Sequence, residues 1–452
     1  MARTLFGTDG LRGQANRYPM TTDMAMRLAA AAGRYFRLDQ KEHRVVIGKD
    51  TRRSSYMLEY AMTAGFASVG MSVLLLGPVP TPAVGMLTRS MRADVGVMIS
   101  ASHNPYPDNG IKFFGPDGYK LSYSAEREIE TMVLDGTYEL ARPENIGAAR
   151  RIDDALGRYI EFAKTAFPRQ RLLDGLKVVV DCANGAAYRA APIVLWELGA
   201  EVVPVGVSPD GFNINRTCGS TFPQTAAAAV VAQGADVGLC LDGDADRAML
   251  IDETGMVADG DQIMGLIAGR WAAEGRLSRD TLVATVMSNT GLEKHLSGRG
   301  VRLLRTGVGD RPVVAAMRKG GFNLGGEQSG HIVMSDYVTT GDGLIAGLQI
   351  LGAMVREDKP ASSLLKVFEA FPQLLENIRV QDADTALAAA AVQQAIAEGE
   401  VAMGPAGRLL VRKSGTEPVI RVMGECEDER LLQRVVGDIS RAVQATPGPG
   451  RA

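Results

Sequence analysis

The residues of this chain best placed to do chemistry together are the three carboxylates of Asp242-Gly243-Asp244-Ala245-Asp246-Arg247. Crowded so closely they repel one another, and a compact loop bearing them is destabilised unless a cation neutralises it. Side chains at i, i+2 and i+4 of a locally extended segment project to one side, so a bend can aim all three at one ion. Hard oxygen donors of this kind suit Mg²⁺ or Ca²⁺. The spacing also matches the start of an EF-hand, with Glu253 at the twelfth position. That loop, however, needs glycine at its sixth position for the sharp turn, and here the residue is Arg247. Its flanks, Leu239-Cys240-Leu241 and Ala248-Met249-Leu250-Ile251, read as strands and not helices. A solvated acidic turn is the bland alternative. A metal loop serving catalysis is the reading adopted.

Three further loops carry reactive groups. Ser100-Ala101-Ser102-His103-Asn104-Pro105 follows an apolar run, Val95 to Ile99, and Pro105 interrupts any continuing ladder. Ser102 is therefore displayed at a strand's C-terminal end, where open α/β sheets bind ligands. It could be a nucleophile, a phosphate carrier or a turn-former. No G-x-S-x-G elbow accompanies it, so acyl chemistry finds little support. Beside a Mg²⁺ loop, a phosphate on Ser102 would supply a further oxygen ligand. Lys112, in Asn109-Gly110-Ile111-Lys112-Phe113-Phe114, sits between apolar neighbours. Partial burial would lower its pKa and suit it to proton transfer, unless it merely snorkels from a strand edge.

In Arg412-Lys413-Ser414-Gly415-Thr416-Glu417-Pro418, with Arg421 beyond, hydroxyls, backbone N–H groups and guanidiniums can converge on a tetrahedral anion. The spacing is not that of a P-loop, and a plain charged hairpin is the competing account. Gly326-Glu327-Gln328-Ser329-Gly330-His331 offers carboxylate, amide and hydroxyl groups of the kind that bind sugar hydroxyls. His331 could shuttle a proton or be structural.

The elements that must position these loops read as α/β. Strand, helix and strand succeed one another at Val45 to Gly48, Tyr56 to Val69 and Met71 to Leu76. The order recurs at Lys177 to Val180, Ala190 to Leu198 and Glu201 to Val207, and again at Thr281 to Met287, Gly291 to Leu296 and Val301 to Leu304. Ala93-Asp94-Val95-Gly96 and Ala235-Asp236-Val237-Gly238 are identical tetrapeptides, each opening an apolar run that ends in a reactive loop. A third such strand near Asn323-Leu324 would end in the Gly326 loop, which suggests three related units. The last stretch differs: a strand at Ile378 to Val380, an alanine-rich helix from Thr385 to Ala397, strands at Arg408 to Val411 and Val419 to Met423, then a helix from Asp428.

The expected fold is α/β, three similar mixed α/β domains and a smaller α+β C-terminal domain. Their bounds are 1–152, 153–254, 255–370 and 371–446, with a loose tail at 447–452. A chain of 452 residues has room for such a set. Its net charge of −3 argues against nucleic acid as a main partner. No apolar run is long enough for a membrane span, and the N-terminus lacks a signal-peptide core. Four scattered cysteines form no metal-type pair and fit reduced thiols in a cytoplasm.

Taken in this order, with Phe6-Gly7-Thr8-Asp9-Gly10-Leu11-Arg12-Gly13 before them, the loops resemble the α-D-phosphohexomutase superfamily over essentially the whole chain. The opening motif and Gln328 resemble its glucosamine-phosphate branch. Phosphomannomutases and phosphoglucomutases, the alternative, more often carry methionine at the place of Gln328. The resemblance implies four domains around a central cleft, and an isomerase that moves a phosphoryl group through a phosphorylated Ser102 and a hexose 1,6-bisphosphate. It implies Mg²⁺ on Asp242, Asp244, Asp246 and Ser102. Glu327 and Ser329 would hold sugar hydroxyls, and Thr306 and Gly307 would belong to a further substrate loop. Arg412, Ser414, Gly415, Thr416 and Arg421 would hold the non-reacting phosphate. Arg12, Lys112, Arg247 and His331 would stabilise charge and transfer protons. The expected partner is a small sugar phosphate, the product leading toward UDP-N-acetylglucosamine and the cell wall. A priming kinase or autophosphorylation for Ser102 and a homodimeric assembly are further expectations.

Overall fold

One strand order is built three times in the computed structural model, which describes residues 5–7, 9–37, 39, 41–404, 407–413 and 419–446. In the first sheet the parallel strands Val95–Ile99, His43–Lys49 and Met71–Pro78 lie side by side, and Asp108–Phe114 returns antiparallel beside Val95–Ile99. The second sheet repeats this with Val237–Leu241, Lys177–Asp181 and Glu201–Val205, and the returning strand Ala248–Asp252. The third does so with Leu324–Gly326, Thr281–Thr285 and Arg302–Thr306, and the returning strand Ile332–Met334. The first sheet is widened by Phe6–Gly7 and Gly10–Gln14 on one edge and Ala149–Arg151 on the other. All three sheets lie in one unit, Met1–Met287 with Arg299–Val367.

The repeated tetrapeptide has a physical job. Asp94 accepts from the Arg44 N–H at 2.7 Å and its own N–H donates to the Arg44 carbonyl at 2.9 Å. Asp236 does the same with Lys177, at 2.7 and 2.9 Å. Each aspartate thus fixes where its strand starts against the neighbouring parallel strand. Asn323 repeats the side-chain half of the device, accepting from the Ser278 N–H at 2.9 Å. The first two strands so registered are each five residues long, the third is three, and a reactive loop follows from each. The central strands Val95–Ile99, Val237–Leu241 and Thr281–Thr285 are buried throughout, as parallel strands covered on both faces must be.

Several boundaries shift for local reasons. The helix expected from Tyr56 runs Arg53–Ser68, because the Asp50 carboxylate accepts from the Arg52 N–H and the Ser55 hydroxyl and so satisfies an earlier first turn. Gly65 on that helix meets the helix Thr22–Phe36, and a side chain there would lie 2.2 Å from the Met26 carbonyl oxygen.

The second unit comprises Ser288–Gly298 and Phe368–Ala452. Its antiparallel sheet has the order Gln373–Arg379, Val419–Cys426, Gly407–Lys413. Ile420, Val422, Val436 and Ile439 are among the residues of its buried core. The single alanine-rich helix expected here is two, Ala383–Ala388 and Ala390–Met403, broken at Ala389, whose backbone is extended. Asp382 caps the first, and the Gln393 amide donates to the Leu387 carbonyl at its end. The short helix Thr290–Ser297, expected as the crossover of a third βαβ repeat, groups with this unit. There the Thr290 hydroxyl donates to Glu425 at 2.5 Å.

Candidate active site

Ser102 follows the strand Val95–Ile99 in a left-handed turn, with φ +52. Its N–H donates to Ser100 Oγ at 2.9 Å. Its carbonyl accepts from Arg52 Nη2 at 3.1 Å and Asn215 Nδ2 at 2.9 Å. So oriented, the buried Ser102 hydroxyl donates to Asp242 Oδ2 at 2.5 Å and lies 3.3 Å from His103 Nδ1. The hairpin loop after Val237–Leu241 approaches this turn through Gly243, where a Cβ would lie 2.5 Å from the Ser102 carbonyl oxygen. Only glycine admits that approach.

The same loop gathers its carboxylates. Ala245 takes φ +59, and one oxygen each of Asp242, Asp244 and Asp246 comes within 4.8 Å of the others. Among the described residues this is the one cluster of acidic, histidine or cysteine side chains so placed. All three are buried, and Asp244 Oδ1 and Asp246 Oδ1 have no hydrogen-bond partner among the described residues. Unit charges about 4 Å apart interact by about 4 kcal/mol at a protein-like dielectric. Burial, with Asp246 and Asp244 adding to it, drives the Asp242 carboxyl well above its ordinary range. Crowded charge, orphaned oxygens and an all-oxygen donor set fit a hard divalent cation. The loop closes a hairpin between antiparallel strands, which excludes an EF-hand.

Lys112 corrects an expectation. It is buried, yet its pKa is raised. Burial alone would lower it, but Asp244, Asp9 and Asp246 outweigh that. Its Nζ lies 2.9 Å from Asp244 Oδ2, 3.4 Å from Asp9 and 3.6 Å from Asp246. Lys112 is a fixed cation opposite the triad, and nothing here prepares it to give up a proton near neutrality. Asp244 is held in the opposite direction: burial would raise its carboxyl, but Lys112 and the Thr81 hydroxyl at 2.7 Å bring it below the usual range. Behind Lys112 the charges continue, with Asp9 2.6 Å from Arg12 and from Lys120, and Lys120 2.5 Å from Asp310. Arg12 lies on the strand paired to that of Lys112. Burial, then Arg247 and Arg12, push the His103 pKa down to about 4, so its ring is neutral at physiological pH.

The third loop is stitched to the second. Arg247 and His331 pair as an antiparallel bridge, and the Ala248 N–H donates to the Gly330 carbonyl at 3.1 Å. Gly330, at φ +88, has the Ala248 carbonyl oxygen 2.1 Å from where a Cβ would stand. Buried His331 thereby comes to 3.8 Å from Asp246, and Arg247 Nε to 3.9 Å from it. Glu327 accepts from the Gly309 N–H at 3.0 Å. That links the Gly326 to His331 loop to the Thr306-Gly307 segment, where Thr306 is half-buried and Gly307 exposed. The Ser329 hydroxyl is buried without a partner among the described residues. Ser102, Lys112, Arg12, Arg247 and His331 are thus joined to the triad by direct contacts or shared partners.

Arg412 and Arg421 stand opposite each other on neighbouring strands of the second unit. Burial and Arg421 lower the Arg412 pKa, and Arg421 Nε is buried without a hydrogen-bond partner among the described residues. Two facing guanidiniums make an anion welcome. Ser414, Gly415 and Thr416, and Thr8 of the opening motif, lie outside the described residues. Arg52, Asn215, Thr81 and Lys120 were not foreseen from the sequence, and Asp9 was read only as part of the opening motif, without its partners. Each acts on a partner distant in the chain, and only a fold brings them together.

Family models described as phosphoglucomutase/phosphomannomutase alpha/beta/alpha domains I, II and III and C-terminal domain match residues 3–139, 157–255, 259–371 and 375–442. A protein of Dinoroseobacter shibae named phosphoglucosamine mutase is 68% identical over 446 residues, 98% of this chain and 100% of its own. One of the same name from Cereibacter sphaeroides is 67% identical, over 98% of this chain and 99% of its own. The crystal structure of a phosphoglucomutase/phosphomannomutase family protein from Burkholderia thailandensis superposes with a TM-score of 0.83 at 25% identity, covering 98% of this chain and 97% of that one.

Proposed function

The chain belongs to the phosphoglucomutase/phosphomannomutase family of the α-D-phosphohexomutase superfamily, and from that premise we propose that it interconverts glucosamine 6-phosphate and glucosamine 1-phosphate. One observation carries the reading: Ser102 Oγ lies 2.5 Å from Asp242, at the edge of a buried carboxylate triad, in a chain that follows relatives named phosphoglucosamine mutase over 98% of its length.

In this reading a phosphoryl group on Ser102 passes to the free hydroxyl of the substrate. One P–O bond breaks at the serine oxygen, another forms at the sugar oxygen, and the sugar's proton is taken up in the site. The resulting 1,6-bisphosphate turns end for end, and its other phosphoryl group returns to Ser102, releasing the isomer. Uncatalysed phosphate-monoester cleavage is so slow that acceleration can approach ~10²¹-fold. The loose transition state is served by in-line positioning and by cations about its equatorial oxygens. Mg²⁺ held by Asp242, Asp244, Asp246 and an oxygen on Ser102 would supply charge neutralisation there. Lys112, Arg12 and Arg247 add fixed positive charge, and His331 is assigned the proton transfer. Glu327 and Ser329 would hold sugar hydroxyls, with Thr306 and Gly307 beside them. Arg412, Ser414, Gly415, Thr416 and Arg421 would bind the distal phosphate.

A cytoplasmic setting, priming of Ser102 by a kinase or by the chain itself, and a homodimer belong to the same reading. Among the described residues no helix is long and apolar enough to cross a membrane. A coupled isomerisation assay tests the proposal, run in parallel on glucosamine, glucose and mannose phosphates with Mg²⁺ present. Highest turnover on glucosamine 6-phosphate is expected. A preference for glucose or mannose phosphate would move the chain to the other branch of its family. No turnover, with no phosphate on Ser102 by intact mass, would reduce it to a binding protein.

A further inference from the structure

The turn that presents Ser102 is gripped twice on the same two atoms. Arg52 Nη2 donates to the carbonyl oxygens of Ser102 and Asn104, at 3.1 and 2.5 Å. Asn215 Nδ2 donates to the same pair, at 2.9 and 3.0 Å. The two donors come from different sheets: Arg52 follows the first sheet's strand His43–Lys49, and Asn215 follows the second sheet's strand Glu201–Val205. Arg52 is wholly buried and ion-paired with Asp50, so its guanidinium cannot wander. Asn215 is itself seated by its N–H on the Ala183 carbonyl, at 2.9 Å.

This duplication answers a problem of backbone energy. Ser102 has φ +52, a conformation disfavoured for a residue with a Cβ, which persists only where its surroundings over-determine it. Four hydrogen bonds to two carbonyls supply that constraint. Released, the turn would relax toward negative φ and swing the Ser102 hydroxyl away from Asp242. Phosphoryl transfer tolerates such displacement poorly, since a misplacement of about 1 Å can lower a rate by about 100-fold.

We propose that Arg52 and Asn215 are positioning residues for Ser102, together forming a clamp that makes its in-line presentation depend on the first and second sheets being docked. The inference rests on Ser102 being the phosphoryl carrier. Neither residue touches the sugar phosphate in this account; both act through the turn.

The direct test is Asn215→Ala, at a half-buried position whose loss leaves the Arg52 ion pair intact. The expected result is kcat lowered about 10- to 100-fold, with KM for glucosamine 6-phosphate changed less than threefold and the melting temperature nearly unchanged. The rate at which glucose 1,6-bisphosphate phosphorylates Ser102, followed by intact mass, should fall in parallel. Arg52→Lys, which keeps the charge and one donor, should retain more activity than Arg52→Met. Because both side chains hold one turn, the Asn215→Ala/Arg52→Lys pair should depart from multiplicative behaviour by more than threefold. An Asn215→Ala enzyme with kcat within twofold of the native one would overturn the clamp. So would a loss confined to KM, or a loss matched by a drop in melting temperature. A native protein with neither isomerase activity nor a phosphorylatable Ser102 would instead sink the functional reading itself, so the two failures are told apart.

Discussion

Lys112 Nζ lies 2.9 Å from Asp244 Oδ2, and both groups are buried. The pair fixes one positive charge against a triad that otherwise repels itself. Lys112→Met should leave those carboxylates uncompensated, and breaking a buried pair from one side costs about 3–5 kcal/mol. Denaturant unfolding at neutral pH without added metal should show a loss of that order, and turnover should fall as well. Because the folded pKa of Lys112 is raised, its contribution is intact below the usual lysine value and disappears only as pH climbs past it. A variant as stable as the native chain at pH 7 would show that the triad needs no such partner.

Ser102→Ala should give a folded protein with almost no isomerase activity. Loss of a covalent nucleophile lowers turnover by roughly 10⁴–10⁶. The hydroxyl's contact with Asp242 at 2.5 Å is what ties this serine to the charged site. Retention of a tenth of native activity would exclude it as carrier.

What could be read in advance was whatever lies close together in the chain. The triad, the Ser102 loop and the Gly326 loop are contiguous segments, and the echo of Asp94 and Asp236 announced repeated units because the same four residues recur, although the partners that make the aspartates matter, Arg44 and Lys177, lie 50 and 59 residues away. The pKa of Lys112 was misjudged because burial is visible in a run of apolar neighbours, whereas Asp9 and Asp244 are not. Arg52 and Asn215 were invisible for the same reason: their partners lie 50 and 113 residues away. The break at Ala389 went unseen because alanine carries strong helix propensity, whereas the contact found at the break, the Gln393 amide on the Leu387 carbonyl, is a side-chain one that propensity does not reveal.

Asp244→Asn should keep the loop, because the Thr81 hydroxyl can still donate to the remaining oxygen. One of three charges is gone, so the Mg²⁺ concentration needed for half-maximal activity should rise by about 10- to 100-fold or more. Calorimetric titration of Mg²⁺ into both proteins measures the same change without turnover. An unaltered Mg²⁺ dependence would remove this loop from the mechanism.

Asp342, which is assigned no part in the reaction but whose neighbour Gly341 packs on Asp246 and His331, supplies a pH test read through stability. Burial raises its pKa to about 7, with the Tyr159 hydroxyl donating to both its oxygens, at 3.1 and 2.9 Å, and the Ile345 N–H to one of them. A carboxyl with a raised folded pKa favours the fold most below its unfolded value near 4, and that advantage fades as pH rises through about 7. The amount lost is at most about 4 kcal/mol, from three units at 1.36 kcal/mol each. Asp342→Asn cannot titrate and keeps one acceptor oxygen for the Ile345 N–H and the Tyr159 hydroxyl, losing only the second tyrosine contact, since an amide nitrogen donates and does not accept. Its stability relative to the native chain should therefore improve steadily from pH 5 to pH 7.5 in denaturant unfolding. A difference constant across that range would mean that Asp342 is ionised throughout.

Arg421 tests the part assigned to the second unit. It faces Arg412 across paired strands, and among the described residues neither guanidinium has an ion-pair partner. If this pair receives the distal phosphate, both hexose monophosphates should depend on it, because each presents its phosphate to the same groups in turn. Arg421→Ala should then lower kcat/KM in both directions. A charge-assisted contact is worth roughly 1.5–3 kcal/mol, which corresponds to a loss of about 10- to 150-fold. The bisphosphate should also escape more readily while it turns, so an external trap should capture more of it per turnover than from the native enzyme. The fold should survive, since the substitution also removes a like-charge contact with Arg412. Full activity in both directions, with no added bisphosphate in the trap, would assign the distal phosphate to other groups and withdraw the role given to Arg421.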